Sequence, residues 1–221
     1  MKFFYRVILI LLPIISAFGQ EGYPKPGVTI SGVFKNSFCF PVVVSANKKT
    51  WSIDSSKSQD IEDSKWGEWN WLPGKVSQIS EKTVLHPLKN KPPLNFGPGG
   101  NSAHQGRNKY GYDFPAEEGT PVLAVDDGIV SKVVQNYTKS HNDPKKDQSN
   151  KVEVVHEDGT VSSYVHLKPN SAKVAPCEKV KAGQILAETG NTGYSSGPHL
   201  HFDIYRPLDG VNYTTIPLTF K

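Results

Sequence analysis

The sequence predicts a mainly β protein. Three observations carry this reading. The chain holds 19 Gly and 17 Pro among 221 residues, more than an average share of turn formers. Short apolar runs alternate with turn-forming clusters, and no segment sustains a 3.6-residue apolar period long enough for a helix. With only two Cys and 21% charged residues, disulfide-scaffold, collagen-like and coiled-coil classes are excluded. One continuously apolar stretch rules out a polytopic membrane protein.

That stretch opens the chain. Lys2 and Arg6 precede VILILLPII at residues 7–15, followed by the small residues Ser16, Ala17 and Gly19. Nine apolar residues are too few to span a bilayer core, which needs about 20. Residues 1–19 are therefore expected to be a secretory signal peptide, leaving no stable membrane span after cleavage. No Cys lies nearby to take a lipid anchor, so the expected location is secreted or periplasmic. Removing Lys2 and Arg6 leaves 23 basic against 21 acidic residues. This near-neutral balance argues against a nucleic-acid partner, and a monomer is expected.

Residues 20–86 are expected to form a small β-rich region. FPVVVS (40–45) and KVSQIS (75–80) read as strands, and residues 52–65 as a polar loop. The tryptophans of WGEWNW at 66–71 either pack a small core or stack on sugar rings; packing is the plainer role. Residues 87–100, PLKNKPPLNFGPGG, read as a Pro/Gly-rich connector. From 101 to 221, strands are expected at 122–125, 128–134, 152–156, 160–167, 184–188 and 200–205. DDG, EDG, KAG and GNTG supply the turns between them. Residues 137–150 read as a polar surface loop. In an oxidising compartment Cys39 and Cys177 either pair or remain two buried thiols.

The histidines carry the chemical signal. In a strand, His199 and His201 of PHLHF share one face while Leu200 and Phe202 take the other. Tyr164-Val165-His166-Leu167 ends a second expected strand, with Tyr164 suited to the core. In HQGRNKYGYDF, His104 and Asp113 flank a Gly-containing stretch. Two His and a carboxylate make a catalytic-zinc ligand set with a fourth position open to water, and two Cys cannot build a Cys-rich alternative. His156, before a hairpin turn, reads as structural, and His141, in the polar insertion, as solvated. Asn101 to Ala103 and the 137–150 insertion are placed at the border of a groove.

These stretches, together with GTPVLA at 119–124 and GNTG running into GPHLHF, resemble the lysostaphin/LytM-type zinc metallopeptidases, a family of peptidoglycan endopeptidases. They occur in the family's order over residues 100–206. The resemblance implies a compact antiparallel sheet of the duplicated hybrid motif type, with the active site in a groove over the sheet and residues 101–221 as catalytic domain. It implies Zn2+ held by His104, Asp113 and His201, with His166 and His199 as catalytic histidines. Many members place the first ligand four residues before the Asp, where this chain has Lys109. His104, nine residues before Asp113, fits a subgroup with a longer spacing, and His86 is the fallback. The implied reaction is attack of a zinc-activated water on a peptide bond of peptidoglycan stem peptides or cross-links. The histidines would move protons and stabilise the oxyanion. An inactive relative that binds peptidoglycan or activates another hydrolase is the alternative, and cleavage of a protein substrate is a third. The front region either packs beside the groove or latches it with an Asn on zinc, the candidates being Asn36, Asn47 and Asn70.

Overall fold

The computed structural model describes residues 32–46, 48–61, 70–146 and 148–221. Residues 1–19, Asn47, Trp66 and Trp69 lie outside them. The N-terminal strands are β1 (Gly32–Lys35), β2 (Val42–Ala46), β3 (Lys49–Ile53), β4 (Ser58–Ile61), β5 (Asn70–Pro73) and β6 (Lys82–Val84). Then come β7 (Tyr112–Pro115), β8 (Pro121–Leu123), β9 (Gly128–Val134), β10 (Ser140–His141), β11 (Lys151–Val155) and β12 (Val161–Val165). The chain closes with β13 (Lys179–Val180), β14 (Ile185–Glu188), β15 (Gly193–Tyr194), β16 (His199–Pro207), β17 (Tyr213–Thr215) and β18 (Leu218–Phe220). The one helical element among the described residues is a 3-10 turn at Gly106–Asn108. None of their helices is long and apolar enough to cross a membrane.

The principal sheet has seven strands in the order β13-β9-β11-β12-β16-β17, with β7 also on β16. All its pairings are antiparallel. β16 is its axis. β12 lies along one edge, while β7 and β17 share the other, β7 against residues 199–202 and β17 against 205–207. Strict alternation along β16 turns Leu200, Phe202 and Ile204 into a core that also holds Tyr112, Phe114, Val130, Val152, Val154 and Tyr164. Each such side chain contributes roughly 1.5–3 kcal/mol on burial. His199, His201, Asp203 and Tyr205 face the opposite way.

A second apolar cluster lies on that opposite face. Phe34, Phe40, Val42, Val44, Ile53 and Trp71 from the N-terminal strands pack on Val155, Val161 and Tyr205 of the sheet. Strands β3-β2-β5 form the small sheet that supplies most of them. Trp71 is buried and stacks on Phe38 at 4.9 Å, the packing role expected for it. The N-terminal strands therefore occupy the face that carries the histidines, at the Tyr205 end. Cys39 and Cys177 form a disulfide across 138 residues, tying this unit to the β9–β13 side of the sheet. On the other side Gly210 meets the backbone of Asn70 and Ser45 so closely that a side chain would collide with both.

Two expectations for the front region are corrected. Residues 75–80 form no strand, because side chains take up their backbone groups. Ser52 Oγ accepts from the Val76 amide, Ser77 Oγ from Ile79, and Arg206 donates to the Ser77 carbonyl. The polar stretch after residue 51 is not a loop throughout. β3 completes a hairpin with β2 and buries Ile53, and β4 pairs with β1, so their backbones are satisfied in ladders. Residues 87–100 run packed against the later strands. Leu88 is fully buried and bridges to Val122, and Phe96 bridges to Asp113.

Candidate active site

β16 and β7 set the centre of the site. Their register pairs His201 with Asp113, and directly opposed residues share a face. His201 Nδ1 lies 2.8 Å from Asp113 Oδ1. His104, fully buried in the loop before β7, places Nε2 3.3 Å from the same carboxylate oxygen and 3.3 Å from His201 Nδ1. Donors held about 2.0–2.1 Å from a zinc ion in tetrahedral array sit about 3.3 Å apart. Two of the three separations match that edge and the His201–Asp113 one is shorter; these atoms are the cluster able to hold a metal among the described residues.

Two of these three side chains are held from behind. His104 Nδ1 lies 2.9 Å from the Gly97 carbonyl. A carbonyl only accepts, so Nδ1 carries the proton and Nε2 keeps a lone pair. Asn101 Nδ2 donates to Asp113 Oδ2 at 3.0 Å, while Asn101 Oδ1 accepts from the Ala103 and His104 amides. Gly111 supplies room, because a Cβ there would fall 2.6 Å from His104 Cδ2 and 2.9 Å from His201 Cε1. The longer His-to-Asp spacing is absorbed by the 3-10 turn between them. Lys109 instead reaches over the Tyr110 ring. His86, the fallback ligand, packs on Phe114 and Phe220 at the core face and does not approach the cluster.

The two remaining histidines stand beside these three. His199 and His166 have ring centroids 4.6 Å apart, and His166 lies 6.0 Å from His201. His199 Nε2 is 3.8 Å from Asp113 Oδ1. His199 Nδ1 donates to the Gly197 carbonyl at 2.8 Å, and His166 Nδ1 to that of Thr192 at 2.7 Å. Both therefore keep Nε2 unprotonated in the neutral ring. His166 has a left-handed backbone, with φ of 64°, which costs a non-Gly residue roughly 1–3 kcal/mol. The next residue shows what holds it there. Leu167 N donates to the Asn150 carbonyl, and its own carbonyl accepts from Asn150 Nδ2 and Thr192 Oγ1.

Electrostatics separate the roles. Burial pushes the Asp113 carboxyl up, but its hydrogen bonds to His104 and His201 outweigh this and hold it well below the usual carboxylate range. Burial, aided by the neighbouring His201 and His199, drives His166 down to about 3, so its ring stays neutral at ordinary pH. Burial opposes protonation of His201, yet the carboxylates of Asp113 and Asp203 lift it to about 9 in the metal-free protein. The site opens into a groove of about 430 Å3, walled by Phe96, Asn101 and Ala103 on one side and Asn142, Tyr194 and Ser195 on the other. No Lys, Arg or Glu lines it among the described residues.

Sequence reasoning placed His104, Asp113, His166, His199 and His201, and the structure brings all five together. It gave Asn101 and Asn150 no role beyond the border of the groove, and it passed over Gly111, Thr192 and Asp203. Only Asp203 carried a readable signal, since it continues the i, i+2 alternation of His199 and His201. Tyr164 is a fully buried core residue whose hydroxyl accepts from the Val125 amide. His156 donates to the Asp127 carbonyl and meets Ser162 Oγ, a structural role. His141 departs from the solvated reading. It sits half-buried in β10, which pairs with β15, and its Nε2 has no hydrogen-bond partner among the described residues. Asn36 is locked among the Phe38 amide and the Phe40 and Ile53 carbonyls, so it is no latch on the site.

Comparison with known proteins adds to this geometry. Residues 107–213 match peptidase family M23. The glycyl-glycine endopeptidase ALE-1 of Staphylococcus capitis is 41% identical over 117 residues, 52% of this chain and 29% of that protein. Lysostaphin of Staphylococcus simulans is 40% identical over 95 residues, covering 42% and 17%. The peptidoglycan DD-endopeptidase ShyC of Vibrio cholerae is 34% identical over 93 residues, covering 42% and 19%. The matched stretch thus spans less than a third of each of these relatives. Among solved structures, the catalytic domain of lysostaphin aligns with a TM-score of 0.38 at 26% identity, covering 56% of this chain and 81% of that one.

Proposed function

Residues 107–213 are a peptidase family M23 domain, and on that premise we propose that this chain is an exported zinc endopeptidase of the bacterial cell wall. It cleaves peptide bonds in peptidoglycan stem peptides or cross-links, with residues 101–221 as its catalytic domain and residues 1–19 as its export signal. The observation that carries the reading is the triad of ligand atoms at 2.8–3.3 Å from one another, two of them fixed from behind by Gly97 and Asn101. His104, Asp113 and His201 hold the metal.

Zinc bound there supplies an electrophile for the scissile carbonyl and an acidified water. The protein's own groups do the rest. His199 and His166 turn an unprotonated Nε2 toward the groove, where His199 can accept a proton from the attacking water and the neutral His166 can accept its hydrogen bond. Once protonated, His199 becomes a donor to the developing oxyanion or the leaving amine. The Gly197 and Thr192 carbonyls hold both rings in that orientation throughout. The neutral groove walls suit an uncharged peptide backbone.

The test is hydrolysis of purified peptidoglycan by the mature protein, with mass analysis of the fragments. A chelator should abolish cleavage and zinc should restore it. His201→Ala should lose metal and activity together, whereas His199→Ala and His166→Ala should lose activity and retain metal. Cleavage that ignores the chelator would sink the mechanism.

A further inference from the structure

The histidine face of β16 carries one carboxylate that the chemistry above does not use. Asp203 follows His201 by two residues, so both project from the same side of the strand. Its Oδ2 lies 3.3 Å from His201 Nε2. The opposite ring nitrogen, Nδ1, is the one turned toward Asp113 and His104. The Asp203 side chain is only 14% exposed. Placing a carboxylate there is costly unless a donor answers it. His201 is the ion-pair partner found for it among the described residues. Its cross-strand neighbour on β12, Ser163, is buried and uncharged.

Imidazole has two nitrogens and, when neutral, one proton. A ring that gives Nδ1 to a metal must carry that proton on Nε2. An acceptor fixed at Nε2 selects this tautomer, blocks a flip of the ring about its long axis, and makes the other nitrogen a better donor. Asp203 meets all three requirements from a rigid position, the middle of a nine-residue strand paired on both edges. Gly97 does the corresponding work for His104 through a neutral carbonyl. His201 alone has a charged acceptor behind it.

We propose that Asp203 is a positioning residue, which orients His201 as a metal ligand and strengthens its donor nitrogen. This inference rests on the zinc reading of the site. It extends that reading to a residue that never touches substrate.

The experiment measures zinc affinity of the full mature chain, stripped and then titrated in competition with a chromogenic chelator. Wild type, Asp203→Asn, Asp203→Ala and Asp203→Glu are compared, and each zinc-free protein is also unfolded thermally. Asp203→Ala should raise the zinc Kd about 100-fold and Asp203→Asn, which keeps a neutral acceptor, about 10-fold. Asp203→Glu should recover part of the loss, and zinc-free Asp203→Asn should still unfold in one cooperative transition, at a temperature lowered only by loss of the His201 ion pair. A merely structural Asp203 would lower that temperature but leave Kd alone. A wild-type Kd in Asp203→Asn overturns the inference even where Asp203→Ala does not fold. Failure of zinc to bind the wild-type chain overturns the underlying site reading, and the inference with it.

Discussion

Replacing Gly111 with Ala tests whether the metal site is defined by close packing as well as by ligand type. The added Cβ would lie 2.6 and 2.8 Å from Cδ2 and Nε2 of His104 and 2.9 Å from Cε1 of His201. Non-bonded carbons prefer about 3.5 Å or more, so the rings must retreat by roughly 0.6–0.9 Å. His104 has little room to do so, being fully buried and tied to the Gly97 carbonyl. Metal–ligand distances tolerate only about 0.2 Å. Forced overpacking costs about 1–3 kcal/mol, and if the metal-bound state bears it, zinc binding weakens about 5- to 150-fold. The φ of Gly111 lies outside the left-handed region, so the backbone accepts Ala and the effect isolates the contact. The assay is a chelator-competition titration beside circular dichroism of the zinc-free variant. A folded Gly111→Ala protein that binds zinc within twofold of wild type would refute the argument.

Three further outcomes follow from the same geometry. His166, with its pKa depressed to about 3, contributes stability that is present above the unfolded value of about 6.5 and lost as pH falls toward 3. In urea unfolding of zinc-free protein, wild type should therefore lose about 2 kcal/mol more than His166→Asn between pH 8 and pH 5; Asn is chosen because it tolerates the left-handed backbone. The paired Cys39→Ser, Cys177→Ser variant opens a closure across 138 residues and should lose about 2–5 kcal/mol in denaturant unfolding. Asn101→Ala removes the donor to Asp113 and the acceptor for two loop amides, and should weaken zinc binding at least 10-fold, measured by the same competition titration.

Much of the site was legible because β16 writes its two faces in period two. Leu200 and Phe202 had to be core, which left His199 and His201 together on the other side. Asp113 and His104 needed the family resemblance as well, since nothing in HQGRNKYGYDF reveals that a 3-10 turn shortens the path between them. What the sequence left unread is tertiary. Asn101 bonds to a residue twelve positions away, and Gly111 matters only because two rings from distant segments meet above it. The left-handed turn at His166 is imposed by Asn150 and Thr192, from outside its own strand. Residues 75–80 show the converse error. Their alternation was real, but no partner strand lies beside them among the described residues, and side chains from elsewhere capture the backbone. The Cys39–Cys177 pairing needed the fold, because spacing alone cannot report proximity.

The aromatic cluster seated over Tyr205 gives the groove a direction. Tyr205 lies four residue steps beyond His201, about 13 Å along β16 at roughly 3.3 Å per residue. Over that span the face is already covered: the Asp203 side chain is 14% exposed, and Ser163 and Tyr205 are buried. At the His199 end the groove is lined by the exposed rings of Phe96 and Tyr194. The groove therefore lies at the His199 end of β16, and the Tyr205 end is closed by the N-terminal unit. The disulfide and the Gly210 contact brace that blind end from both sides of the sheet.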